Sequence, residues 1–151
     1  MSLSILVPQD QPCPFCVYIR GERPFTFLYK GTDLSVMVTR GQRGEPHLLV
    51  VPHRHVPTIL RVTDEEAART TIAIRQSARA IERAYGSVGI AVWQNNGKPA
   101  GQAIPHIHFH VAGTLKKGGT EWGNVPELSL GVTETIAQRL RPHFDIDEGS
   151  A

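Results

Sequence analysis

Three histidines alternate with apolar residues in one short segment, and this pattern constrains the chain more than any other. Residues 105–112 read PHIHFHVA, so His106, His108 and His110 occupy every second position. Side chains alternate between the two faces of a β-strand, so the spacing predicts a strand with three imidazoles on one face. Buried imidazoles need polar partners, and neighbouring imidazolium charges repel one another. The segment therefore predicts a functional site rather than a segment of the hydrophobic core.

Length and charge limit the kind of protein that carries this segment. The chain has 151 residues and a formal net charge of +2. We expect residues 1–151 to form a single domain, and the small charge gives no reason to expect nucleic acid as an obligatory partner. The sequence has no apolar run near the ~18 residues of a membrane span, and its start lacks a signal peptide. We expect a soluble cytoplasmic protein with no membrane partner.

The order of turns, apolar runs and helical patterns predicts an α+β domain with a mostly antiparallel sheet. Thr63 opens a capping box, and apolar residues at helical spacing predict one long helix that ends at Gly86 or Gly89. Residues 13–20 predict one or two helical turns, and a shorter C-terminal helix is predicted over 133–140. The remaining predicted elements are an N-terminal arm (1–12), strands at 25–29, 34–39, 47–51 and 90–94, a glycine-rich loop (113–126) and a loose tail (144–151).

The histidines and the loop before them predict a site for a phosphate ester. A neutral imidazole is a nucleophile near pH 7 when an acceptor holds the proton on its other ring nitrogen. Residues 94–102 read QNNGKPAGQ and offer amide donors and exposed backbone N–H groups. Glycines let the backbone approach a ligand, and neutral donors bind phosphate oxygens without quenching a nucleophile.

The loop and the alternating histidines together resemble the signature of the histidine triad (HIT) family. The segments CPFC at 13–16 and HLLVVP at 47–52, followed by His55, resemble the Hint-like branch of that family. The resemblance implies a HIT-like α+β fold, usually a homodimer. It also implies an enzyme that hydrolyses or transfers nucleotides, with purine nucleoside phosphates favoured, by attack at the α-phosphate.

The resemblance implies a role for individual residues. His108 would become nucleotidylated, His110 would hold the site and share protons, and His47 would help to fix the tautomer. Asn95 and Gln102 match polar positions that face the phosphate, in the loop that also contains Gly101. The residues expected in the nucleoside pocket are Phe15, Tyr18, Met37 and Val38.

Two residues depart from the family pattern. Thr39 stands roughly where many members have an aspartate that grips the ribose hydroxyls. Ala103 stands where a serine or threonine usually contacts the phosphate or the leaving group. A nucleotide-binding regulatory protein with little turnover is therefore an alternative to the enzyme.

The two cysteines form a CxxC motif, which by itself fits a redox pair, a metal site or two free thiols. The resemblance implies structural zinc held by Cys13, Cys16, His55 and His106, with no ligand position left open. For the histidine segment two other interpretations exist: a strand of individually partnered histidines, and one catalytic metal ion bound by all three imidazoles.

Overall fold

The structure, a computed structural model, describes residues 4–146. In this part of the chain five strands form one antiparallel sheet in the order β1-β2-β3-β5-β4. The strands are β1 (Phe27–Lys30), β2 (Leu34–Val38), β3 (His47–Pro52), β4 (Ile90–Trp93) and β5 (Phe109–Gly113). The helices are α1 (Pro14–Ile19), α2 (Asp64–Tyr85) and α3 (Leu130–Leu140), with single 3-10 turns at Ile59–Arg61, Lys98–Ala100 and Arg141–His143. The arrangement confirms the predicted α+β fold.

Local sequence signals set the ends of the two longer helices. The Thr63 hydroxyl accepts a hydrogen bond from the Glu66 backbone N–H, and the Glu66 side chain accepts one from the Thr63 N–H. The helix ends at Gly86, whose left-handed φ of 63° favours glycine. Helix α3 begins three residues earlier than predicted because the Ser129 hydroxyl caps it by accepting from the Val132 N–H.

The sheet separates two apolar clusters. Along β3, Leu48 and Val50 belong to the helix-side cluster, whereas Leu49 and Val51 belong to the cluster on the other face. The helix-side cluster also contains Val36, Val38, Val111, Ala73, Ala80, Ile81, Ala137 and Leu140. The opposite cluster contains Cys13, Phe15 and Met37, so the CxxC helix covers the face of the sheet that α2 and α3 leave open.

The histidine segment enters the sheet later than the alternation predicts. Strand β5 begins at Phe109, and the backbone N–H groups of His106 and Ile107 bond to loops instead of to a neighbouring strand. The His106 N–H donates to the Ile104 carbonyl, and the Ile107 N–H donates to the Val56 carbonyl, both at 2.8 Å. Of the three histidines only His110 lies within the strand, so the prediction that all three share one strand face is wrong.

The ends of the described chain lie against the rest of the fold. The Lys98 N–H donates to the Leu6 carbonyl at 2.6 Å, which places the N-terminal arm beside the loop that precedes the histidines. Phe144 and Ile146 pack against the helix-side cluster, whereas 1–3 and 147–151 lie outside the described residues. Within 4–146 no helix is both long and apolar enough to cross a bilayer.

Candidate active site and metal centre

The two cysteines and two histidines converge on one point. Cys13 and Cys16 flank the start of α1, His55 follows β3, and His106 precedes β5. The ligand atoms of these four residues all lie within 4.8 Å of one another. Nδ1 of His106 lies 3.5 Å from Sγ of Cys13 and 3.6 Å from Sγ of Cys16. Nδ1 of His55 lies 3.4 Å from Sγ of Cys16 and 3.2 Å from Nδ1 of His106.

This geometry fits a tetrahedral metal ion. Metal–sulfur bonds of about 2.3 Å and metal–nitrogen bonds of about 2.0 Å separate S and N ligand atoms by about 3.5 Å and two N atoms by about 3.3 Å. Nε2 of His106 lies 2.7 Å from the Pro52 carbonyl, which can only accept, so the proton is on Nε2 and the Nδ1 lone pair faces the cluster. Burial first, and then neighbouring Cys13, raise the pKa of the Cys16 thiol to about 11, and a divalent cation would oppose that rise. The four residues could therefore bind a metal ion.

The backbone of His106 sets the tautomer of His108. Nδ1 of His108 lies 2.7 Å from the His106 carbonyl oxygen, so that nitrogen carries the proton. The lone pair of His108 is consequently on Nε2. One residue thus contributes its side chain to the metal cluster and its carbonyl to the next histidine.

A second hydrogen-bonded chain fixes the tautomers of His47 and His110. The Arg43 backbone N–H donates to Nδ1 of His47 at 3.1 Å, so the proton of a neutral His47 is on Nε2. Nε2 of His47 lies 2.9 Å from Nδ1 of His110 and donates to it. His110 therefore carries its own proton on Nε2, directed away from His47. The rings of His108 and His110 lie 5.0 Å apart.

Burial keeps these imidazoles neutral. It lowers the pKa of His47 and of His106 to about 4, and it is the largest cause of the lowered pKa of His108 and His110. At pH 7 each of the four is therefore a neutral imidazole with one donor and one acceptor nitrogen.

Among the described residues, the three histidines of the segment are not grouped as ligands of one metal ion. Among residues 4–146, the residues that cluster as possible metal ligands include His106 but neither His108 nor His110. The Nδ1 atoms of those two histidines are engaged by the His106 carbonyl and by His47. The geometry thus disfavours a catalytic metal ion shared by three imidazoles.

The loop at 95–102 is held by its own amide side chains. Both donors of the Gln102 amide are used, at 2.7 Å by the Pro57 carbonyl and at 2.9 Å by the Ile104 carbonyl. Its oxygen accepts from the Gly97 N–H at 2.7 Å. The Asn95 amide donates to the Ala100 carbonyl at 2.7 Å, and Gly101 closes the turn with φ of 89°. Gln102 therefore shapes this loop by bonding to Gly97 within it and by tying it to the Pro57 and Ile104 carbonyls beside it.

The predicted pocket residues do not all lie together. Phe15 is buried against His108, with ring centroids 4.9 Å apart, and Met37 belongs to the same cluster as Phe15. Tyr18 lies 6.5 Å from Phe15, ring to ring, and stacks on Phe25. Val38 follows Met37 on β2 and is buried in the helix-side cluster, so the structure does not bring it to the other three.

Sequence reasoning missed two residues that hold the histidines. The indole of Trp93 stacks on the His110 ring, with centroids 4.6 Å apart. The sequence predicts the strand that carries Trp93, but it does not predict that this strand pairs with the histidine segment. The Gln42 amide accepts from the His47 N–H at 2.7 Å and donates to the His47 carbonyl at 2.9 Å. We find no signal in the sequence that predicts the Gln42 contact.

Known proteins share both the sequence and the architecture. The HIT domain family model matches residues 20–117. Protein hit of Bacillus subtilis (strain 168) is 31% identical over 136 residues, which are 85% of this chain and 94% of that protein. Adenosine 5'-monophosphoramidase hnt1 of Schizosaccharomyces pombe is 28% identical over 74% of this chain and 78% of its own length. Adenylylsulfatase HINT3 of Arabidopsis thaliana is 32% identical over 66% of this chain and 50% of its own length.

Solved structures of similar proteins superpose on most of the fold. A Hit-like protein from Bartonella henselae matches with a TM-score of 0.81 at 23% identity, over 91% of this chain and all of that one. A Zn-bound histidine triad family protein from Mycobacterium smegmatis matches with a TM-score of 0.75 at 23% identity, over 87% of this chain and 92% of that one. Because the HIT domain model matches residues 20–117, which are most of this chain, the chain belongs to the HIT family.

Proposed function

We propose that the protein is a nucleotide hydrolase or transferase that acts at an α-phosphate through a covalent nucleotidyl-histidine at His108. The observation that carries this proposal is the 2.7 Å contact between Nδ1 of His108 and the His106 carbonyl. It keeps the proton on Nδ1 and leaves a neutral lone pair on Nε2, as a nucleophilic imidazole requires. The lowered pKa of His108 keeps that lone pair available at pH 7.

The reaction has two displacements at phosphorus. Nε2 of His108 forms a bond to the α-phosphorus as the bond to the leaving group breaks, and the imidazole ring gains a positive charge that the His106 carbonyl stabilises through Nδ1–H. The leaving group departs with the bonding electron pair and, when it is an amine, takes up a proton from solvent. Water then forms a P–O bond as the N–P bond breaks. The nucleoside monophosphate and a proton are released, and the neutral imidazole is restored.

His110 and His47 support the phosphate in both steps. His47 donates to Nδ1 of His110, so the Nε2–H of His110 is the donor offered to a non-bridging phosphate oxygen. Such a donor stabilises the charge that develops on the phosphate oxygens in the transition state. Asn95, Gly101 and Gln102 contribute the loop beside the phosphate, with Gln102 acting through the shape of that loop.

The metal that we propose for the four-ligand cluster is structural zinc. Two thiols and two imidazoles at tetrahedral separations are a ligand set that zinc prefers, and four protein ligands leave no position for a substrate. When bound, zinc stabilises the thiolates and ties α1 to the segments that carry His55 and His106. The Zn-bound protein from Mycobacterium smegmatis supports this choice, and the CxxC motif supports a place in the Hint-like branch.

The nucleoside is proposed to lie against the aromatic face near α1. Tyr18, which is only partly buried, would offer this surface, with Phe15 and Met37 buried beneath it, and Phe15 already contacts His108. Val38 acts from the opposite side of β2 by filling the core behind it. A flat apolar surface beside the nucleophile suits a base, and the resemblance favours a purine.

We further propose a cytoplasmic homodimer. Strand β4 lies at an edge of the sheet, where it pairs with β5 alone among the described strands, and Val92 on it is 50% exposed. An edge strand with an exposed apolar residue is suited to pairing with a second copy. A reducing compartment keeps Cys13 and Cys16 available as thiolate ligands.

One alternative is a nucleotide-binding regulatory protein with little turnover. The observation that favours it is the pair of departures from the family pattern. The Thr39 hydroxyl accepts from the Gly41 N–H at 3.3 Å and brings no carboxylate to a ribose, and Ala103 brings no hydroxyl to a leaving group.

Turnover of two substrates distinguishes enzyme from binding protein. The wild-type protein is incubated with an adenosine phosphoramidate and with a dinucleotide polyphosphate, and the released AMP is measured by chromatography. We expect AMP from at least one of them, and intact-mass spectrometry of quenched samples should detect the adenylylated chain. Binding of AMP without release from either substrate would refute the enzyme and support the regulatory alternative.

The variant His108→Asn tests the nucleophile. It should bind AMP and fold normally, yet lose the adenylylated intermediate and at least about 1,000-fold in kcat, which is typical of a lost nucleophile. The matched control is His143→Asn, because His143 lies in the turn after α3. Unchanged activity in His108→Asn would show that another residue attacks the phosphorus.

A further inference from the structure

Trp93 lies flat on one member of the hydrogen-bonded histidine pair. Its ring centroid is 4.6 Å from that of His110, and the two planes are 3° from parallel. The contact follows from the sheet, because Trp93 and His110 are paired across β4 and β5. The same indole lies 5.2 Å from the His47 ring, so it contacts both histidines of the pair.

The stacked indole restricts rotation of the His110 ring. To exchange the positions of Nδ1 and Cδ2, the imidazole must turn about its Cβ–Cγ bond and pass through an orientation perpendicular to the indole. That orientation loses the stacked contact, and it breaks the 2.9 Å hydrogen bond from Nε2 of His47 to Nδ1 of His110. The hydrogen bond from His47 holds only one edge of the His110 ring, whereas the stacked indole keeps the whole imidazole parallel to itself.

We propose that Trp93 is a positioning residue that keeps Nδ1 of His110 on His47 and directs Nε2–H of His110 toward the substrate phosphate. This inference rests on the proposed function, in which His110 donates to a non-bridging phosphate oxygen. Trp93 acts on the phosphate only through His110. Removal of the indole should therefore reduce the stabilisation of the transition state more than it reduces the affinity for the substrate.

Three substitutions test the effect on the reaction. Trp93→Leu removes the aromatic plane, and an aromatic pair of ordinary strength corresponds to a factor of about two to ten in rate. We expect kcat to fall by about that factor with a smaller change in KM, and Trp93→Phe to restore most of it. Trp122→Leu is the matched control, because Trp122 is 87% exposed, and it should leave kcat unchanged.

A spectroscopic measurement tests the orientation without any turnover. Long-range ¹H–¹⁵N spectra of protein labelled at histidine distinguish the two neutral tautomers by their separate nitrogen shifts. We expect His110, identified by its loss in His110→Asn, to be the Nε2–H tautomer in the wild type and in Trp93→Phe. In Trp93→Leu the ring spends time turned away from His47, its proton then exchanges between Nδ1 and Nε2, and its two nitrogen shifts should move toward each other.

The inference requires both effects. An unchanged His110 spectrum in Trp93→Leu overturns it whatever the rate, and so does an unchanged kcat with a changed spectrum. If even the wild type turns over no nucleotide, the proposed function has failed and the spectra alone decide the positioning role. If circular dichroism shows that Trp93→Leu is unfolded, Trp93→Met replaces it, since methionine fills space without an aromatic plane.

Discussion

Removing the proposed zinc from the four-ligand cluster should destabilise the whole fold. The cluster joins three segments that are distant in sequence: the CxxC helix, the residue after β3 and the residue before β5. The unfolded chain does not hold these ligands together, so the proposed zinc would bind the folded state far more tightly. Cys13→Ala removes one ligand, and a chelator removes the ion itself.

The size of the loss of stability follows from the linkage between metal binding and folding. A ligand that binds only the folded state stabilises it by about 2.7 kcal/mol at 100 times its Kd and about 4.1 kcal/mol at 1,000 times. For domains of about 150 to 250 residues, 1 kcal/mol corresponds to a change in Tm of about 2–4 °C. We therefore expect chelation to lower Tm by about 5–16 °C, with the metal reaching solvent past the exposed His55.

Calorimetry with and without a chelator measures this change, and elemental analysis should find about one zinc per chain. Cys13→Ala should begin at the lower Tm and should not respond to the chelator. His143→Ala, which leaves the cluster intact, should respond as the wild type does. A wild-type protein that contains zinc but keeps its Tm after complete removal of the ion would refute the structural role.

Two further predictions concern buried polar groups. His47 is neutral in the fold with a pKa of about 4 against 6.5 for an ordinary histidine, so the unfolded chain takes up the extra proton as the pH falls. Stability should therefore decrease between pH 6.5 and 4 by up to about 1.4 kcal/mol per pH unit. When the unfolding free energy is measured by urea denaturation at several pH values, its decrease per pH unit should be smaller in His47→Asn than in the wild type. An equal decrease in both proteins would contradict this assignment. The Ser77 hydroxyl on α2 is buried and has no hydrogen-bond partner among residues 4–146, so Ser77→Ala should raise the unfolding free energy by about 1 kcal/mol. Ser35→Ala should lower it because that hydroxyl bonds to His53 at 2.7 Å, and a loss of stability in Ser77→Ala would mean that its hydroxyl has a partner.

The sequence predicted best those elements whose signals are local. The capping box at Thr63 and the left-handed glycine at position 86 define α2 through contacts within a few residues. The run at 47–51 is apolar on both faces because β3 lies in the middle of the sheet, between two clusters. In each case the neighbouring residues contain the physical cause.

The sequence predicted least well what depends on distant partners. Alternation at 105–112 is a strand pattern, but the Pro52 and Val56 backbones bond to the first part of the segment and hold it out of the sheet. Val38 and Met37 are neighbours in sequence, yet strand geometry places them on opposite faces of β2. Trp93 meets His110 only because β4 pairs with β5.

The carbonyl of His106 has a consequence for how such a chain can change through evolution. Every residue type provides a backbone carbonyl, so the acceptor for His108 does not depend on which side chain stands at position 106. Selection for the proposed nucleophile, His108, would therefore constrain the path of the backbone there and leave the side chain at position 106 open to a separate selection. The first histidine of the segment can be gained or lost together with the two cysteines while the second keeps its tautomer.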